Sequence, residues 1–311
     1  MNVYITYEEL KEYLTSKPGE AIKDDQLLQR FVSKCSRLFD EYTERRFYPR
    51  IETRYFDHPS DGLVEAAWPT DSNLISAQVA RVRNDELWLD DDLLAVTTLT
   101  TNNGAVTITS SDYLLLNGDR YAPTPYNRVR LQPNGVTTYF QNTNTPYKAN
   151  ALTGTWGFHN DYANAWEDSQ DTVENNPLSI SGTSITVNDA DGADKYGLTP
   201  RFRIGQILRI GSEYLHVTGR NIDANTLTVV RGVNGSTAAA HTQNTSIEIY
   251  RPMPALVGIM EMTATHFYRR RHSVGGETDR AVASATGVLI LPSRLPSEVK
   301  EALRVFKRNT I

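Results

Sequence analysis

Three consecutive arginines, Arg269, Arg270 and Arg271, stand between His266 and His272 in "HFYRRRHSVGG". Such a run offers three chemistries. It can meet phosphate, pair with acids on a neighbouring protein surface, or end a helix, where each cation complements the dipole by roughly 0.3–1 kcal/mol. Successive helix residues turn by about 100°, so the three spread over about 200° and cannot all face one partner. At most one or two are therefore assigned to a contact, and another to solvent. Cys35 is the only cysteine. It falls in an apolar helical stripe and is expected to pack in a core rather than act as a nucleophile. The six histidines form no HxH, HExxH or His-Cys pattern, so no metal site is expected. Asp90-Asp91-Asp92 lacks the alternation and glycine of a calcium loop and reads as an exposed acidic turn. Nucleophile elbows, phosphate-binding loops and dinucleotide fingerprints are missing from the sequence. No catalytic residue, metal or cofactor is nominated, and the chain is not read as an enzyme. Trp68, Trp88, Trp156 and Trp166 are candidates for stacking on a sugar ring; burial in a β core is the competing fate.

The elements that would position these residues follow from periodicity. Thr6 and Glu9 form a capping box, with Ile5 and Leu10 at staple spacing, so a helix starts near residue 7. Pro18-Gly19 stops it. A second helix is predicted over about 24–46, its stripe being Leu28, Phe31, Cys35, Leu38 and Tyr42. From residue 51 the period becomes two. "TRYFD", "LISAQVARVR", "LWLDDD", "AVTTLTT", "GAVTIT", "DYLLLN", "RVRLQP" and "ALTGTWGF" predict a β-barrel or sandwich over 51–158. Residues 159–177 are polar and acidic and read as a linker or a surface excursion. A small β domain is expected over 178–250. Helical spacing returns from Pro252 to about Arg271, through Met253, Leu256, Val257, Met260, Ala264 and Phe267. A last helix opens with Ser297 as a cap candidate and carries Val299, Leu303 and Phe306 on one face. The predicted fold class is α+β. Residues 1–50 and 251–311 form a discontinuous helical bundle, and a large two-part antiparallel β insert projects from it.

Charge is distributed unevenly. Residues 51–250 hold 13 Lys and Arg against 23 Asp and Glu, a balance of −10, whereas residues 251–311 hold 10 against 5, a balance of +5. An acidic middle argues against DNA binding there, and the basic tail is free to meet an acidic surface. No apolar run reaches the roughly 18–20 residues of a membrane span, and the N-terminal segment does not read as a signal peptide.

Both ends of the chain resemble one family. "YITYEELKEYL", "DDQLLQRFVSKCSRLFDEYTERRFYPRIETRYFD", "RPMPALVGIMEMTATHFYRRR" and "LPSEVKEALRVFKR" are similar, in order and spacing, to the head-tail connector (adaptor, or head-completion) proteins of tailed bacteriophages. In addition, "IGSEYLHVTG" with "LTVVRGVNGSTAAAH" resembles a β module of phage structural proteins. Arg231, Gly232, Asn234 and Gly235 would be turn-forming there, and His241 turn-stabilising.

The resemblance implies a homo-oligomeric ring, usually dodecameric, below the portal protein and above a tail, stopper or tail-terminator protein. DNA would pass through its channel without specific binding. It implies a virion protein assembled in the host cytoplasm, with no membrane partner. Arg269, Arg270, Arg271, Arg304, Lys307 and Arg308 are the expected portal or subunit contacts. A β-rich tail-fibre or baseplate component that binds carbohydrate is the alternative expectation.

Overall fold

A computed structural model describes residues 2–15, 25–59, 84–118, 122–272, 282–283, 289–290 and 295–308. The strand expected over "LISAQVARVR", Trp68, Pro18-Gly19 and the "SVGG" that follows His272 lie outside the described residues. The chain divides into two compact units, Pro49–Asn160 and the pair Met1–Tyr48 with Asp161–Ile311.

The expected fold class is corrected. Among the described residues the chain is mostly β, with two antiparallel sheets of six strands each and four helices. A helical bundle bearing β inserts is therefore not the architecture. The physical reason is that each β region builds a core of its own, whereas the helices are too short to be the body of the molecule. Helix α1 is Tyr7–Leu14, α2 Asp25–Thr43, α3 Pro254–His272 and α4 Ser297–Arg304.

In the unit Pro49–Asn160 the strands are β1 Arg50–Phe56, β2 Glu86–Thr101, β3 Val106–Ile108, β4 Tyr113–Leu116, β5 Tyr126–Leu131 and β6 Asn150–Trp156. They run in the order β1-β6-β2-β5-β4, with β3 added to β2. "LWLDDD" and "AVTTLTT" are one 16-residue strand, β2, that bends through register shifts at 88–93, 93–95 and 96–98. The β2 side chains alternate at its start. Leu87 and Leu89 enter a core with Leu93, Leu99, Val129, Leu131, Phe140, Leu152 and Trp156, while Trp88 and Asp90 face out. Asp90-Asp91-Asp92 is thus strand rather than turn. Alternate β1 cations cross to it, Arg50 Nη2 lying 3.0 Å and Arg54 Nη2 2.7 Å from Asp91 Oδ2.

In the other unit the second sheet runs β7-β12-β9-β10-β11-β8. Its strands are β7 Trp166–Thr172, β8 Ser184–Thr186, β9 Ile207–Ile210, β10 Glu213–Asn221, β11 Thr226–Val230 and β12 Ser246–Tyr250. A separate two-stranded pair joins β13 Val282–Ala283 and β14 Leu289–Ile290. Residues 159–177, expected as a linker, contain β7, an edge strand whose alternate residues Glu167, Ser169 and Asp171 are buried. Those acids escape the usual penalty because cations meet them. Arg251 Nε is 3.0 Å from Glu167 Oε2, and Arg201 Nη1 is 3.3 Å from Asp171 Oδ2.

The helices of this unit pack on one another: α2 contacts α1, α3 and α4, and α3 contacts α1 and α4. The capping box of α1 forms, Glu9 N–H donating to Thr6 Oγ1 at 3.1 Å and Thr6 N–H to Glu9 Oε2 at 2.7 Å. The buried face of α2 is Leu28, Val32, Cys35, Ser36, Phe39 and Thr43. Leu28 and Cys35 of the expected stripe belong to it, while Phe31, Leu38 and Tyr42 are half-buried along its edge. Ser297 is the first helical residue of α4, and Pro296 is the N-cap, without a side-chain cap. Val299 and Leu303 are buried as expected.

Gly258 lies inside α3 with open space around the position of a Cβ. Gly258→Ala is therefore expected to stabilise the chain by roughly 0.5–1 kcal/mol, by removing backbone freedom from the unfolded state. Thermal melting checks this, and a lowered Tm would contradict it.

Candidate interaction surfaces

The six expected contact residues lie on α3 and on the segment led by α4. Helix α3 ends at His272, which places Arg269, Arg270 and Arg271 in its last turn. Arg269 is exposed. The end of α3 runs beside α2: Tyr268 meets Phe31 edge-on at 6.4 Å, and Lys34 Nζ lies 4.9 Å from the centre of the Phe267 ring. Arg304 is about three-quarters exposed and pairs along its own helix with Glu301 at 3.3 Å. Lys307 is exposed, and Arg308 is half-buried. The Arg308 N–H donates to Thr43 O at 2.9 Å, and Phe306 meets Phe47 edge-on at 6.0 Å. These contacts tie the C-terminal segment to the end of α2.

Two ionic arrangements in this unit were not foreseen. The first fastens α1 to the second sheet. Glu8 Oε1 is 2.8 Å from Arg220 Nη2, Glu12 Oε2 is 3.0 Å from Arg203 Nη1, and Ile204 N–H donates to Glu8 Oε2 at 3.0 Å. A signal existed: Glu8 and Glu12 are like charges one helical turn apart, a pairing that disfavours a helix unless cations face it.

The second lies under the "VVRGVNG" hairpin. Glu213 is fully buried at the start of β10. Arg231 grips it with Nε and Nη2 at 2.6 and 2.7 Å, and His241 Nε2 lies at 2.8 Å. Gly232 N–H and Ala239 N–H each donate to it at 3.1 Å. Arg231 Nη1 also donates to Ser179 O and Gly182 O, at 3.0 and 2.8 Å. Burial pushes the Glu213 carboxyl up, but the bonds from Arg231, His241 and the Ala239 N–H outweigh it and hold the group below its ordinary value. Closed to solvent and saturated with donors, this cluster can clamp a hairpin; it cannot receive a substrate.

A third buried group anchors the N-terminal segment. Tyr4 Oη donates a very short bond to Asp40 Oδ1 and accepts one from the Phe47 N–H at 3.1 Å. Asp40 Oδ2 lies 2.7 Å from Arg37 Nη1. Burial, with Asp40 adding to it, holds the Tyr4 phenol well above its usual range.

The remaining reactive groups are quiet. Burial pushes the Cys35 thiol up to about 12 and the His216 imidazole down to about 4, so neither is charged near neutrality. No group of three or more His, Cys, Asp or Glu suited to a metal occurs among the described residues. Of the tryptophans, Trp156 is fully buried and donates from Nε1 to Glu52 O at 3.1 Å. Trp166 stacks on Tyr214 at 5.2 Å and leans on Tyr250 at 5.3 Å. Trp88 stands half-exposed on the outer side of β2. No helix among the described residues is long and apolar enough to cross a membrane. Compared with protein-family models and with curated proteins, the chain matches none of them.

Proposed function

We propose that the chain is a structural subunit of a tailed-phage head-tail connector. In this reading it forms a ring, of twelve copies as the resemblance implies, between the portal protein and a tail or stopper protein. DNA passes through the channel without specific contacts. The protein is assembled in the host cytoplasm and ends in the virion, and no catalytic step is assigned to it. The observation that carries the reading is the packing of α1 and α2, from one end of the chain, with α3 and α4, from the other. Those are the segments in which the resemblance resides. The exposed apolar side chains Tyr13 and Met262 on these helices, with Val305 just after α4, supply the kind of surface a head-to-tail ring neighbour would cover. The tail balance of +5 supplies an electrostatic contact for an acidic portal groove.

Arg304 and Lys307 test the docking because both are exposed while Val299 and Leu303 carry the packing of α4. The variant combining Arg304→Glu and Lys307→Glu is expected to fold normally and to lose at least about tenfold of its retention on portal rings in co-purification. Unchanged retention overturns the docking. Failure of the unaltered chain both to bind portal rings and to appear in micrographs as a layer beneath them overturns the connector reading. The second reading, a fibre or baseplate component that binds carbohydrate, is favoured by one observation, the half-exposed Trp88.

A further inference from the structure

We infer that the outer face of β2, β5 and β4 is a binding site for a neutral hexose-containing glycan. The register places six side chains in two rows of three. Trp88 is opposite Arg128, which is opposite Leu116, and Glu86 is opposite Arg130, which is opposite Leu114. Paired residues of antiparallel strands share a face. Strands lie about 4.8 Å apart and like-facing neighbours about 6.8 Å apart, so the rows cover about 10 Å by 7 Å, the size of one or two sugar rings.

The chemistry of the patch suits that ligand. Trp88 is 53% exposed and Leu114 49%, at opposite corners of the patch with the two arginines between them, which is unusual for two such side chains on one sheet face. Beside them is a fixed polar group: Glu86 accepts from Arg128 Nη1 at 3.0 Å and from Arg130 Nε at 2.9 Å. The Arg128 guanidinium lies 4.7 Å from the centre of the Trp88 ring. The Arg128 fork is thereby held beside the indole, and the Arg130 fork on Glu86, before any ligand arrives. A hexose has an apolar C–H face that an indole accepts, and vicinal hydroxyls that a guanidinium or carboxylate can bond in pairs. The opposite face of the same strands is locked into the core by Leu87, Val129 and Leu131, so the platform is rigid.

Charge selects a neutral ligand. Residues 49–160 contain 8 Lys and Arg against 12 Asp and Glu, a balance of −4. Glu86 in addition neutralises one of the two patch arginines. The net negative charge of the unit disfavours a polyanion such as single-stranded DNA or an acidic polysaccharide. The site belongs to the surface of one unit and holds for either reading of the assembly.

The test uses the full chain on an array of neutral and acidic glycans, with single-stranded DNA as a separate arm and titration calorimetry on whatever is retained. The expected result is retention of at least one neutral hexose glycan, weakened at least tenfold by Trp88→Ala, with the melting temperature unchanged. Leu114→Ser serves as a second variant, which should weaken binding without touching the ion pairs. The proposal is overturned if no neutral glycan is retained, if binding survives both substitutions, or if DNA or acidic glycans bind in preference.

Discussion

Glu213→Ala is expected to cost about 3–5 kcal/mol and to lower the melting temperature by roughly 6–20 °C. The carboxylate is the common acceptor for five donors drawn from Arg231, Gly232, Ala239 and His241. Its removal leaves a guanidinium that is only 6% exposed without a counter-charge. That penalty exceeds the net worth of the intact pair, because an orphaned buried charge bears its whole desolvation cost. A loss below about 1 kcal/mol in thermal or denaturant unfolding would show that the clamp is not what holds the hairpin. The same group makes the unit acid-sensitive. Its folded pKa lies below the unfolded value of about 4.3, so its contribution is complete above that pH and is lost as pH falls through the folded value. Glu213→Gln should therefore be less stable than the native chain near neutrality, and the difference between them should shrink on acidification below about pH 4. A constant difference from neutrality to strong acid would contradict this.

Gly154→Ala is expected to be as disruptive in the other unit, at about 3 kcal/mol or more, the upper end of overpacking costs. A Cβ at this position would lie 2.3 Å from Ala95 O and 3.1 Å from Leu93 Cδ1. The first of these atoms is backbone, on a paired strand. Relief by a rotamer change is closed, since β6 is hydrogen-bonded on both sides, with Gly154 opposite Glu52 of β1 and Val96 of β2. Soluble yield and thermal melting provide the measurement, and an unchanged melting curve would show that β2 can yield at its bulge.

The legible parts of the fold were those written in local period. The capping box at Thr6 and the strands "TRYFD", "DYLLLN" and "RVRLQP" could be read because each is a short-range pattern. The balance of the architecture was not, because how much of the body an element builds depends on the core it buries, which no local period records. Strand β7 escaped notice because it buries Glu167, Ser169 and Asp171 where a strand usually buries aliphatic residues. The cations that make this tolerable, Arg251 and Arg201, lie tens of residues away. Separation also hid the clamp. Arg231 and His241 were visible as parts of a turn, but Glu213, 18 and 28 positions from them, gave no local sign of facing both. The outer row of Trp88, Arg128 and Leu116 depends on strand register, which only pairing can supply.

The interleaving of the two units has a consequence for the nascent chain. Residues 49–160 leave the ribosome as a contiguous stretch and can complete their own sheet while everything after them is still being made. The face of α2 bearing Leu28, Val32 and Phe39 has no such option, because α3, which helps cover it, begins about 200 residues later in translation. For that interval an early amphipathic helix is left uncovered, so chaperone capture and aggregation during synthesis are expected to concentrate there.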